Sequence, residues 1–290
     1  WRNMEKFPLP GNELMEHPSA RGRVSSKRMT YAHDVMIDQA FDFIRDNHKS
    51  PFLFHFHLTI PHANNEGGRV TGDGMEVPDY GIYKKKPWPN TAKGQAAMIT
   101  RMDSEIGRLM ELLRELKIDD NTLVIFTSDN GPHSEGGHQH EYFNANGPLR
   151  GYKRDLYEGG IRVPTIAWWP GNIARGSKSD EPLAFYDFLP TACELAGVEA
   201  PKNIDGISFL ATLTGSSQHE HDHLFWKYQE KLAVRKGKWK GVIPGKGKPL
   251  ELYDLSADIG ETKNLAAEKK DLVQYLTQCI EEALEPVKTE

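Results

Sequence analysis

Thr122-Leu123-Val124-Ile125-Phe126-Thr127-Ser128-Asp129-Asn130-Gly131 is an apolar, β-branched run that stops on polar residues and a glycine. Such a run reads as a core strand that ends in a turn. Upstream, Ile99, Met102, Ile106, Leu109, Leu113 and Leu116 recur at three- and four-residue spacing with charges between them, predicting a helix from Ala92 to Lys117. Asp119-Asp120-Asn121 turns the chain from helix into strand. Helix, turn, strand and polar strand tip is the order of an α/β sheet, in which ligands gather beyond the carboxyl ends of the strands.

The same grammar extends in both directions. Residues 1–30 read as an irregular segment, and Ile37, Ala40, Phe41 and Ile44 predict a helix that His48-Lys49-Ser50-Pro51 ends. Phe52 to Ile60 reads as a buried strand closed by Pro61-His62. Residues 63–92 form a long functional loop. Val163 to Trp169 reads as a third strand, and Phe188, Leu189, Ala192, Leu195 and Ala196 as a core helix stopped by Gly197. Beyond it, short apolar runs at 224–228, 231–234, 239–243 and 250–255 predict an antiparallel sheet, followed by a helix from Asp271 to Leu284. The organisation expected is a catalytic-type α/β portion over 1–223 and a smaller subdomain over 224–290.

Composition narrows the function classes. The 290 residues are 38% hydrophobic and 27% charged with a net charge of -5, a globular composition that argues against nucleic acid as the main partner. Mean hydropathy is -0.61, and no apolar run approaches the roughly 18 residues a membrane helix needs. Cys193 and Cys279 lie too far apart for a metal knuckle and are too few for a disulfide framework. Cys193 reads as a small packing residue.

Three places carry candidate chemistry. Asp129 and Asn130 offer two hard oxygen donors at a strand end, suited to Ca²⁺ or Mg²⁺, although Asp-Asn-Gly is equally good turn chemistry. Arg150, Lys153 and Arg154 lie among glycines, where cations could hold a tetrahedral anion or simply face solvent. His62 follows a strand and a proline, a place for a catalytic imidazole or a structural one. His55 and His57 share a strand face. His133, His138 and His140, with Glu135, follow the Asp-Asn pair as substrate contacts or a zinc-like cluster. His219, His221 and His223 read as surface residues, and the eight basic residues between Lys227 and Lys248 as a solvated hairpin or an anion-steering surface.

Taken together, these segments resemble the sulfatase family of the alkaline-phosphatase-like superfamily. Phe52–His62 resembles its strand ending in Pro-His, and Thr122–Gly131 its strand ending in Asp-Asn-Gly. Gly147–Pro164 resembles its segment with a Lys before Glu-Gly-Gly-x-Arg-Val-Pro. Leu252-Tyr253-Asp254-Leu255 with Glu261-Thr262-Lys263-Asn264-Leu265 resembles its C-terminal signature.

The resemblance implies an alkaline-phosphatase-like α/β sandwich with a mostly parallel central sheet, and hydrolysis of aryl or glycan sulfate esters. It implies Asp129 and Asn130 as ligands of Ca²⁺, Lys153 and His62 as catalytic groups at the ester, and His133 and His138 on the substrate side. Its nucleophile is a formylglycine made from the Cys or Ser of a Cys/Ser-x-Pro-x-Arg motif, which these residues lack, as they lack the N-terminal Asp-Asp metal pair. The expectation is therefore a truncated, inactive chain with an incomplete Ca²⁺ site and uncovered sheet edges. The sulfated small molecule or glycan is the expected partner, and a periplasmic or secreted location is implied by the same kinship. The competing readings are a phosphodiesterase or phosphatase of the superfamily, and a non-catalytic module that binds sulfated glycans.

Overall fold

The computed structural model describes residues 2–285. They form two compact units, residues 2–120 with 133–143 and residues 121–132 with 144–285. Chain order is β1 (Glu13–Glu16), β2 (Arg23–Lys27), α1 (Ala32–Asn47), α2 (Asn65–Thr71), α3 (Asn90–Glu115), β3 (Val124–Thr127), α4 (Glu158–Ile161) and β4 (Thr165–Trp168). It continues through α5 (Phe188–Ala196), α6 (Leu210–Thr214), β5 (Leu224–Tyr228), β6 (Lys231–Lys236), β7 (Trp239–Ile243), β8 (Glu251–Asp254) and α7 (Lys270–Leu284). No described helix is long and apolar enough to cross a membrane.

In the first unit, α1 buries Ile37, Ala40, Phe41 and Ile44, the stripe its periodicity predicts. Helix α3 starts two residues before the expected Ala92; its first turns are rotated by about one position, while Leu113 further along is buried as the spacing predicts. Met98 is 2% exposed whereas Ile99 is 44% exposed. The rotation follows from Gly94: a Cβ there would meet the Met75 carbonyl oxygen at 2.2 Å, so α3 lies directly on the 75 backbone and turns its 94–98 side inward. Met98 then packs with Ile60, Ala63 and Met75.

Residues 52–60 correct the sequence expectation, for they join no sheet ladder among the described residues. The run is nevertheless extended, with period-2 sidedness. Phe54 stacks on Phe56 at 5.6 Å and on Phe43 of α1 at 5.0 Å. His55 and His57 stack with nearly parallel rings, 6.0 Å apart.

In the second unit, β3 and β4 pair antiparallel, Val124 against Trp168 and Thr127 against Thr165. All sheets among the described residues are antiparallel, so the mostly parallel sheet expected from the sequence is not what these strands build. The physical reason is the connection 128–164, which carries no helix longer than four residues and re-enters beside the end of β3 it left. A parallel pair needs a crossover that returns to the opposite end.

Strands β5 to β8 form an antiparallel meander in sequence order, as predicted. Both faces are buried. Val234 and Leu252 pack with Leu276, Cys279 and Ile280 of α7, while Ala233, Val242 and Tyr253 pack with Leu156. Of the alternating histidines, His221 departs from the surface reading: its Nε2 lies 2.8 Å from the fully buried Asp187 carboxylate.

Candidate active site

In the second unit the site is built backbone on backbone. Beyond β3, the Asp129-Asn130-Gly131 turn lies against the Glu158-Gly159-Gly160 turn, with Gly131 N donating to Gly160 O at 3.0 Å. A Cβ on Gly131 would fall 1.9 Å from the Gly159 carbonyl oxygen, so only glycine permits this approach. One residue on, Lys153 N donates to Pro132 O at 2.8 Å. These two bonds clasp the strand tip carrying Asp129 and Asn130 to the loop carrying Lys153. Asp129 is exposed, and Asn130 and Lys153 are half-buried. Asn130 Nδ2 donates to Gly131 O at 2.9 Å, which orients the amide.

The sequence reading missed what holds that loop. Lys240 of β7 is fully buried, with its ammonium 2.8 Å from Glu158 and 3.0 Å from Glu261. Glu261 also accepts the Glu158 backbone N–H at 2.6 Å. Burial drives both carboxyls up. At Glu158 the Lys240 ammonium overrides this and holds the group below its usual range, whereas Glu261 stays above it. Arg150 lies 3.8 Å over the Tyr157 ring and donates to Tyr253 Oη at 2.9 Å. Tyr157 and Tyr253 both donate to Glu251, at 2.7 and 2.6 Å, and burial and that carboxylate raise both phenols. The one available signal was parity: Lys240 alternates with inward Val242 on a strand whose two faces are both buried.

The histidines belong to the first unit. A turn closed by His62 N to Thr59 O at 3.0 Å presents a half-exposed His62 imidazole. Its Nδ1 faces the Ala63 carbonyl at 2.8 Å and so carries the proton. That leaves Nε2 directed at Glu135, 3.5 Å away. His133 is buried, accepts the Glu135 N–H on Nδ1 at 3.1 Å, and therefore donates from Nε2 to Pro61 O at 3.1 Å. Its ring is 6.0 Å from His62 and 5.9 Å from His138. Burial, with His133 and His140 close by, lowers the His138 pKa and keeps it neutral. Gly136 and Gly137 hold this turn against 63–74: Gly74 N donates to Gly136 O at 2.8 Å.

As a metal centre the donor set is partial. Asp129 and Asn130 supply hard oxygens of the kind Ca²⁺ prefers, short of the six to eight it usually takes. No group of three or more His, Cys, Asp or Glu able to hold a metal occurs among the described residues.

Comparison with known proteins gives a consistent answer. The Sulfatase family model matches residues 2–198, and that of the N-sulphoglucosamine sulphohydrolase C-terminal region matches 150–290. An N-acetylgalactosamine-6-sulfatase of Rattus norvegicus is 32% identical over 220 residues, covering 72% of this chain and 37% of that protein. An N-acetylgalactosamine-6-O-sulfatase of Bacteroides thetaiotaomicron is 28% identical over 285 residues, 88% of this chain and 51% of that one. A solved structure from a Bacteroides thetaiotaomicron locus for metabolism of multiple glycosaminoglycans superimposes with a TM-score of 0.74 at 25% identity. It covers 90% of this chain and 57% of its own. The chain thus spans about a third to a half of the length of the curated relatives it matches.

Proposed function

The chain belongs to the sulfatase family, and from that premise we propose that it forms part of a hydrolase of sulfate esters carried on glycans. The observation that carries the reading is the clasp of Gly131 on Gly160 and Pro132 on Lys153. It joins two oxygen donors and a cation on hydrogen-bonded backbone, which suits the anionic oxygens of a sulfate ester under attack. The glycan preference rests on the N-acetylgalactosamine-6-sulfatases among its relatives, one of them aligned over most of the chain.

In this reading Lys153 places its ammonium against the sulfuryl oxygens and stabilises charge building on the leaving oxygen as the S–O bond breaks. The resemblance adds His62 as the group that protonates that oxygen, which requires its imidazolium form, with Nδ1–H on the Ala63 carbonyl and Nε2–H facing the Glu135 carboxylate. Asp129 and Asn130 would hold Ca²⁺, which when bound offsets the anionic charge of the ester. The remaining metal donors and the nucleophile come from outside these residues, because no Cys/Ser-x-Pro-x-Arg stretch occurs among them. An Asp-Asn pair at the strand tip, where the resemblance expects Asp-His for zinc phosphodiesterases, favours sulfate over phosphate.

The test is release of sulfate from N-acetylgalactosamine 6-sulfate by a protein carrying these residues together with such a stretch. Lys153→Ala lowers turnover by about a hundredfold or more, and the 290 residues alone release none. Unchanged turnover in Lys153→Ala, or metal-dependent turnover by the 290-residue chain alone, overturns the assignment.

A further inference from the structure

Within the first unit a file of rings leads away from His62. From His133 and His138 it passes to Phe143 at 6.2 Å, to Trp88 at 5.2 Å, and to Tyr83, stacked on Trp88 at 5.6 Å. Tyr142 adds a perpendicular ring 4.8 Å from Phe143. The file starts buried and then opens: His133 and His138 are 7% and 2% exposed, Phe143 and its neighbour Tyr142 38% and 44%, and Trp88 and Tyr83 are half-buried. Rings gathered only to make a small core would cover one another. These remain open to water despite their mutual packing, the mark of a binding surface.

Charge names the class of ligand. Lys84, Lys85 and Lys86 are exposed and immediately precede Trp88, with the Lys86 ammonium 5.7 Å from its ring centroid. None of the three is paired with a carboxylate among the described residues. Aromatic faces accept the apolar C–H face of a pyranose ring, and free ammonium groups accept sulfate. A ligand suited to both is a sulfated oligosaccharide, whereas an aryl or steroid ester offers a flat ring with nothing for three cations to hold.

We propose that Tyr83, Trp88, Tyr142 and Phe143, with Lys84 to Lys86, form a shelf that binds further sugars of a sulfated oligosaccharide whose reacting sulfate lies at His62. The shelf deepens, and rests on, the sulfate-ester reading above, because it selects oligosaccharide over monosaccharide among sulfate esters.

Calorimetric titration of the 290-residue chain with a sulfated galactan hexasaccharide, its desulfated counterpart and N-acetylgalactosamine 6-sulfate tests this. The sulfated hexasaccharide binds more tightly than either of the others. Tyr142→Ala and Lys85→Ala each weaken hexasaccharide binding about fivefold and leave the monosaccharide unchanged. Lys85 is exposed, so Lys85→Ala preserves the test should Tyr142→Ala fold poorly. Hexasaccharide affinity no greater than that of the monosaccharide, or unmoved by both substitutions, overturns the shelf. The underlying reading fails separately: in that case monosaccharide binding is indifferent to Lys153→Ala, while dependence of the hexasaccharide on Tyr142 and Lys85 can persist.

Discussion

A lysine outside the motifs, Lys240, and a glycine inside one, Gly131, govern the candidate site. Lys240 neutralises Glu158 at the back of the Glu-Gly-Gly turn, and Glu158 begins the turn on which Gly131 rests. Lys240→Met leaves two buried carboxyls without their cation and is expected to cost about 3–5 kcal/mol. Denaturant unfolding checks it, and a loss below about 1 kcal/mol would show that the triad behaves like a surface pair. Gly131→Ala drives a methyl into the Gly159 carbonyl. Separation of the two turns is the expected result, with a loss of about 1–3 kcal/mol and weakened binding of N-acetylgalactosamine 6-sulfate. Asp129, Asn130 and Lys153 were legible as letters. Their common support was not, because Lys240 and Glu261 are far from them in sequence and look like ordinary surface charges.

At the level of elements, helix α1 carries a pH dependence. His33 is 1% exposed, and neither ring nitrogen has a hydrogen-bond partner. Burial lowers its pKa below the ordinary 6.5, so the folded state holds it neutral while the unfolded chain takes up a proton. The unfolded state thus binds more protons below that value, and stability is lost as pH falls through it. Melting of the first unit should therefore shift to lower temperature between about pH 7.5 and 5.5, and His33→Met should flatten the slope. An equal slope in the variant places the acid sensitivity elsewhere, His138 being the next group. Elements with a full local pattern, such as α1, α7 and the β5–β8 meander, were readable in advance. The run 52–60 was not: its composition specifies an extended chain, but a strand exists only when a neighbour completes its hydrogen bonds.

For the whole molecule, exposed apolar side chains accompany open strand edges. Ile166 on β4 is 61% exposed in a two-stranded sheet, and Leu53 is 64% exposed in the extended run that joins no ladder. The 290-residue chain should self-associate, and Ile166→Lys should lower its light scattering at equal concentration. Scattering unaffected by the substitution would locate the sticky surface elsewhere. Short-range order determined much of this protein: helix stripes, the meander, the turn chemistry at Asp129-Asn130-Gly131 and the family motifs follow from spacing and residue type alone. The antiparallel sense of β3 and β4, the rotation of α3 onto Gly94, the burial of Lys240 and the ring file from His62 to Tyr83 were settled only in three dimensions. Each depends on which distant backbone comes within a few ångströms, and no local periodicity encodes that proximity.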